Sequence, residues 1–140
     1  MTKVLIVEDD KTALQALCQM VQTAGYMAFI AADTSEAIHT FELERPGLIL
    51  VDINLRGETI GQPMDGLGLI DWLKYRYPDY PFIYIIVSGE DLRTHQTRAA
   101  ATGAFAFVQK PIDADLLLAE IRRAVADAPI TEQTAAVSEG

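Results

Sequence analysis

Basic residues and long apolar runs are scarce in this sequence of 140 residues, and each scarcity excludes a class of protein. Lysine and arginine number 11 against 20 aspartates and glutamates, a formal charge of −9, so no broad basic surface is available for a nucleic-acid backbone. The apolar runs fall far short of the roughly 20 residues that span a bilayer, and the N-terminus carries no basic-then-apolar signal segment. We therefore expect a soluble, cytoplasmic protein that binds neither nucleic acid nor membrane directly.

Cysteine is nearly absent as well, since Cys18 is the only one. It cannot form an internal disulfide, and it lies among apolar residues at helical spacing, which favours a small core residue over a reactive thiol. We assign it no function.

Short apolar runs alternate with amphipathic segments as far as residue 126, which predicts an α/β domain. Three runs are almost continuously apolar and rich in isoleucine and valine, as is typical of central parallel strands: 4–7, 48–53 and 82–87. Two weaker runs complete a set of five strands by their place in the alternation: 27–32 and 104–108. With five helices between and after them, the fourth a polar one over 91–103, the pattern is (βα)5, a doubly wound five-stranded parallel sheet.

Helix boundaries follow from capping residues. Asp10, Asp65 and Asp113 are predicted N-caps of the first, third and fifth helices, and Thr34 or Ser35 is the predicted N-cap of the second. A chain of this length, half of it apolar, suits one compact domain, so we expect residues 1–126 to form a single domain. Residues 127–140 lack periodicity and large apolar side chains, so we expect a flexible tail or linker stub there.

Polar side chains follow four of the predicted strands. In an open parallel sheet these positions meet at the carboxyl edge, near the point where the strand order reverses, which is where ligands bind. Adjacent carboxylates repel one another, so this oxygen-rich group indicates a site for Mg²⁺, with a lysine ammonium offsetting the remaining charge. The residues concerned are Glu8, Asp9, Asp52, Asn54, Ser88 and Lys110.

The stretches "VLIVEDD", "LILVDIN", "MDGLGLI", "IIVSG" and "VQKP", in this order over residues 3–126, resemble the CheY-like receiver domains of two-component response regulators. The resemblance implies a flavodoxin-like fold and, residue by residue, the following roles: Asp52 as phosphoacceptor, Glu8 and Asp9 as the Mg²⁺ pair, Asn54 as a metal ligand through its backbone carbonyl, Ser88 as the hydroxyl that meets the phosphoryl group, and Lys110 as the ion-pairing lysine before a cis bond to Pro111.

The same resemblance implies a function and its partners. Asp52 would be phosphorylated by a histidine kinase or a phosphotransfer protein, and the domain would catalyse only its own phosphorylation and dephosphorylation. Ser88 and Phe107 would form the switch, Asn54 and Glu90 would tune the phosphoryl lifetime, and an effector would bind the face of the fourth helix, fifth strand and fifth helix. Phe107, placed on the same strand face as Phe105, reads equally well as a plain core residue.

One stretch departs from the family pattern. "DINLRGETIGQPMDG" is longer than usual between Asp52 and the "MDG" by about six residues, and Arg56 stands where the family commonly has proline. We expect residues 56–63 to be a mobile rim beside the site. Such an insertion is either neutral, because added loop length costs little, or a determinant of which partner docks.

Two other functions remain open at this point. "VLIVEDDKT" also resembles the first motif of haloacid-dehalogenase-like phosphatases, with Glu8 at the nucleophile position and Asp10 as general acid. Glu8 is one methylene longer than the aspartate that this chemistry needs, and Asp52 would have no role. A degenerate receiver used only for binding is the third interpretation, and the presence of every expected site residue argues against it.

Overall fold

The computed structural model describes residues 2–55, 58–59, 62–89 and 103–127. In that part of the chain the elements run in the order β1 (Lys3–Val7), α1 (Lys11–Thr23), β2 (Met27–Ala31), α2 (Thr34–Glu44), β3 (Leu48–Asp52), β4 (Glu58–Thr59), β5 (Gln62–Pro63), α3 (Gly66–Arg76), β6 (Ile83–Ser88), β7 (Ala106–Gln109) and α4 (Ala114–Ala126). The helix predicted as the fifth is thus α4. The predicted polar helix over 91–103, Glu90 and residues 128–140 lie outside the described residues, apart from Gly103.

Five strands form one parallel sheet in the order β2-β1-β3-β6-β7. The strand order reverses between β1 and β3, where the chain leaves β1 toward β2 and then returns to the other side. Val7 is the register partner of Val51, and Asp52 is the register partner of Val87. The residues that follow β1 and β3 therefore emerge side by side at the switch point. The predicted doubly wound α/β fold is confirmed.

Two apolar cores cover the two faces of the sheet, because successive strand residues point to opposite sides. Leu5 and Val7 of β1 lie in the core formed with Phe41 of α2 and Leu73 of α3. The intervening residues of β1 lie in the core formed with α1 and α4. Full burial of a large aliphatic or aromatic side chain stabilises the fold by about 1.5–3 kcal/mol, so both cores hold the carboxyl edge of the sheet rigid.

The predicted N-caps are confirmed at Asp10, Asp65 and Asp113, whose carboxylates accept hydrogen bonds from backbone N–H groups in the first helical turn. The predicted cap of the second helix is wrong. Asp33 caps α2, with its Oδ1 2.8 Å from the Glu36 nitrogen, and the Glu36 carboxylate in turn accepts from the Ala32 N–H at 2.7 Å. This reciprocal pair moves the helix start one residue earlier.

The last strand begins later than predicted, at Ala106. As a result, Phe105 and Phe107 pack on opposite faces of the sheet. Phe107 packs against the core under α2 and α3, whereas Phe105 packs against the core under α1 and α4. The expectation that both lie on one face is wrong, because Phe105 precedes the strand and the two-residue alternation does not extend to it.

The long connection between β3 and α3 contains a short antiparallel pair that the sequence pattern does not predict. Glu58 pairs with Pro63 and Thr59 pairs with Gln62, and β4 contacts α2. A two-residue strand carries no periodicity of its own, so its formation depends on contacts that a sequence pattern does not reveal. Among the described residues, no helix is both long enough and apolar enough to cross a bilayer.

Candidate functional site

Three carboxylates meet at the carboxyl edge of the sheet. Glu8 and Asp9 follow β1 and Asp52 ends β3, and one oxygen from each lies within 4.8 Å of the other two. The exposed fraction is 1 % for Glu8 and 6 % for Asp52, while Asp9 is exposed. The pairing of β1 with β3 brings the three acids together. Two of them are buried, and the third is exposed at the rim.

Lys110 connects the two buried acids. Its Nζ donates a short hydrogen bond to Glu8 Oε1 and lies 3.4 Å from Asp52 Oδ2. The backbone fixes this lysine, because its N–H donates to the Ser88 carbonyl oxygen at 2.8 Å. The Lys110–Pro111 peptide bond is cis, as the resemblance implied.

The charges in this cluster are not balanced. Burial raises the pKa of Glu8 from 4.5 to about 7; the hydrogen bond from Lys110 opposes the rise, and the neighbouring Asp52 adds to it. Burial alone would lower the pKa of Lys110, but the hydrogen bond to Glu8 and the charges of Asp52 and Glu8 outweigh it, so that pKa is raised. Among the described residues, the Lys110 ammonium pairs with two of the three acids, Glu8 and Asp52, so a further cation at this edge would relieve the remaining repulsion.

The carboxylate of Asp52 is held from two sides. The backbone N–H of Asn54 donates to Oδ1 at 3.0 Å, and Oδ2 faces Lys110. The side chain of Asn54 is exposed beside it. The carboxylate of Asp10 points away to cap α1, accepting from the Ala13 N–H at 2.9 Å, while the backbone N–H of Asp10 donates to Glu8 Oε2 at 3.4 Å.

Ser88 and Phe107 lie on β6 and β7, the two strands that follow β3 in the order of the sheet. Ser88 is fully buried at the end of β6, next to Val87, the register partner of Asp52. Phe107 is half-buried on β7, opposite Ile86. Both predicted switch residues are therefore on the strands that follow Asp52 in the sheet order, while the predicted tuning residue Glu90 lies outside the described part of the chain.

Gly66 also belongs to this site, although the sequence pattern did not predict a role for it. It begins α3, its N–H donates to the Ile53 carbonyl oxygen at 3.0 Å, and a Cβ added to it would overlap the carbonyl oxygen of Asp52. A glycine directly after a helix cap, in the "MDG" stretch, was the available signal.

The donor set fits Mg²⁺. Carboxylate oxygens are hard ligands, and one exposed acid beside two buried ones leaves room for the waters that Mg²⁺ retains. Glu8, Asp9 and Asp52 would supply the side-chain oxygens, with the backbone carbonyl of Asn54 beside them.

Fold and site together define a class: a doubly wound α/β domain with an ion-paired carboxylate and a candidate cation site at its topological switch point. A family model described as the response regulator receiver domain matches residues 4–122. The chain belongs to the response regulator receiver domain family, and it is therefore a domain of two-component signalling. Receiver domains are signalling switches rather than enzymes that turn over an external substrate, which disfavours the phosphatase interpretation.

Several relatives agree with this assignment. The nitrogen assimilation regulatory protein NtrX of Azorhizobium caulinodans is 32 % identical over 122 residues, covering 87 % of this chain and 26 % of that protein. The C4-dicarboxylate transport transcriptional regulatory protein DctD of Rhizobium meliloti is 31 % identical over 121 residues, covering 86 % and 25 %. The chain thus spans about a quarter of the length of these curated relatives.

Solved structures agree in fold. A CheY-like response regulator receiver domain from Methanospirillum hungatei matches with a TM-score of 0.77 and 28 % identity, covering 91 % of this chain and 95 % of that one. The receiver domain of NtrX from Brucella abortus matches with a TM-score of 0.76 and 27 % identity, covering 88 % and 98 %.

Proposed function

We propose that Asp52 is the phosphoacceptor of a Mg²⁺-dependent phosphorelay switch and that it receives its phosphoryl group from a histidine kinase or a histidine phosphotransfer protein. The observation that carries this proposal is the setting of the Asp52 carboxylate. It is nearly buried, its Oδ1 is fixed by the Asn54 N–H, and its Oδ2 faces the Lys110 ammonium beside two further acids.

A carboxylate is a modest nucleophile toward phosphorus, so the site has to position it and neutralise the charge of the phosphoryl oxygens. In the reaction an oxygen of Asp52 forms a bond to phosphorus while the bond from phosphorus to the donor nitrogen breaks. The Asn54 N–H sets the direction of the carboxylate, and Lys110 lies where it can meet the incoming oxygens. Mg²⁺ bound by Glu8, Asp9, Asp52 and the Asn54 carbonyl would supply charge neutralisation and alignment.

The phosphoryl group then biases a two-state element. Ser88 donates its hydroxyl to the new oxygens, and Phe107 follows by turning inward against the core under α2 and α3, which it already contacts. Asn54 and Glu90, both polar, admit or orient the hydrolytic water and so tune the lifetime of the acyl phosphate. The output reaches a downstream effector domain or protein through the face that includes β7 and α4.

Labelling by a small donor tests the central step of this proposal. Treatment with acetyl phosphate in the presence of Mg²⁺ should raise the intact mass by one phosphoryl group per chain, an addition that supplies up to two negative charges. The same treatment in excess EDTA should leave the mass unchanged. Equal labelling with and without the chelator would contradict the metal requirement, and no labelling under either condition would contradict the acceptor role.

Amide hydrogen exchange tests the switch. If Ser88 and Phe107 move together, the phosphorylated protein should show changed exchange over residues 103–109, although Asp52 lies two strands away in the sheet. We expect at least a threefold change in rate there, against little change in β2 at the opposite edge. Changes confined to a few residues around Asp52 would instead indicate a receiver that relays phosphate without a switching face.

A further inference from the structure

Gly66 begins α3 with no space for a side chain. Besides overlapping the Asp52 carbonyl oxygen, a Cβ there would lie 2.8 Å from the Asp52 carbonyl carbon and 3.0 Å from Val51 Cγ2. The positive-φ glycines of the described residues are Gly25 and Gly103, not Gly66. Glycine is therefore needed at this position because α3 approaches β3 closely, and not because the backbone adopts a conformation closed to other residues.

The turn after β3 connects Gly66 to the Asp52 carboxylate by two hydrogen bonds. Gly66 N–H donates to the Ile53 carbonyl oxygen at 3.0 Å, and the next residue, Asn54, donates its N–H to Asp52 Oδ1 at 3.0 Å. The turn after β3 is thus fastened to α3 on one side and holds the carboxylate on the other. The core formed with α2 and α3 holds both β3 and α3, so the turn has little freedom to adjust.

We infer that Gly66 is a positioning residue for phosphoryl acceptance: by seating the start of α3 on the Asp52 backbone, it sets the direction of the Asp52 carboxylate and of the Asn54 carbonyl. This inference rests on the proposed function. It also accounts for how the site tolerates a long connection. The hydrogen bond between Gly66 and Ile53 joins the two ends of this connection. The number of residues in the connection therefore does not set the position of Asp52.

Gly66→Ala tests the inference, with Gly68→Ala as the matched control in the same helix. A Cβ at position 68 would meet only side-chain atoms, at 3.2 Å from Met64 Cγ and 3.3 Å from Asp65 Oδ1, so it requires adjustments of a few tenths of an ångström and no displacement of backbone. For folded protein, verified by circular dichroism, Gly66→Ala should weaken Mg²⁺ binding at least tenfold. It should also slow acetyl phosphate labelling at least tenfold at saturating Mg²⁺. Gly68→Ala should stay within threefold of the parent in both quantities.

A Gly66→Ala protein that loses only thermal stability, with the Mg²⁺ affinity or the labelling rate of the parent, would overturn the inference. Replacing residues 56–63 by a shorter linker is the complementary variant, and it should leave both quantities within threefold of the parent. A tenfold loss in that variant would equally overturn the inference, since the length of the connection would then position Asp52.

Amide exchange in the unaltered protein keeps the inference testable if Gly66→Ala does not fold. If the Gly66–Ile53 hydrogen bond positions the metal ligands, Mg²⁺ must stabilise that bond in return. Saturating Mg²⁺ should therefore slow exchange of the Gly66 amide by at least threefold more than that of the Gly68 amide, which donates to Asp65 Oδ1. Equal slowing of both would overturn the inference. Failure of the proposed function is seen separately, as absence of labelling in the parent.

Discussion

The Asp52→Asn variant should take up no phosphoryl group from acetyl phosphate, while it keeps the fold and the thermal stability of the parent. The amide has nearly the shape of the carboxylate but lacks its nucleophilic oxygen, so the bond to phosphorus cannot form. Folding should survive, since the substitution removes one negative charge from a cluster of three acids that repel one another and of which Lys110 pairs with two. The expected loss is complete within the limit of intact-mass detection.

Asp71→Asn provides the matched control. Asp71 is exposed on α3, and its substitution is the same change from carboxylate to amide. The Asp71→Asn variant should therefore label at the parental rate. Asp52→Asn labelling to the same extent as Asp71→Asn would show that another group accepts the phosphoryl, and the assignment of Asp52 would be wrong.

Lys110→Ala should separate metal binding from switching. Its Nζ lies between Glu8 and Asp52, and removing it leaves the acids to repel one another. A unit charge about 4 Å away is worth roughly 1 kcal/mol in water and more near a protein surface, so Mg²⁺ should bind about tenfold more tightly to the variant. Phosphorylation signalling should fail, because on the proposed function this ammonium would meet the phosphoryl oxygens.

The fluorescence of Trp72 gives the readout for this variant. It is the only tryptophan, and it packs against the same core as Phe107. We expect the phosphorylation-induced change in its emission to disappear in Lys110→Ala and to persist in Lys11→Ala, which removes an exposed lysine at the start of α1. An equal spectral change in Lys110→Ala and the parent would refute the role of Lys110.

Much of the fold follows from the sequence because its signals are local and repeated. Central strands buried on both faces need continuous apolar runs, and the carboxyl ends of parallel strands share one edge. These two properties predict, from the sequence alone, that Glu8, Asp9 and Asp52 lie close together. Lys110 joins them from the last strand, at the far end of the sheet order.

What the sequence did not reveal depends on backbone geometry and packing, which a pattern of residue types does not contain. Asp33 and Thr34 are both good capping residues, and the choice between them is made by the backbone geometry at the end of β2 and by the hydrogen bond from the Ala32 N–H to the Glu36 carboxylate. The β4–β5 pair is too short for a pattern. The role of Gly66 is visible only once α3 lies on β3, because glycine in a sequence does not say whether space or backbone freedom requires it.

Chemical location of the phosphoryl group tests the central claim most directly. An acyl phosphate on Asp52 is an activated carbonyl, and borohydride reduces it to the alcohol, which marks the acceptor permanently for peptide mapping by mass spectrometry. After labelling with acetyl phosphate and Mg²⁺, we predict a single reduced position, residue 52, absent from the Asp52→Asn variant and from protein treated in EDTA. Reduction at Glu8 or Asp9 instead, or a labelled protein with no reducible position, would contradict the account.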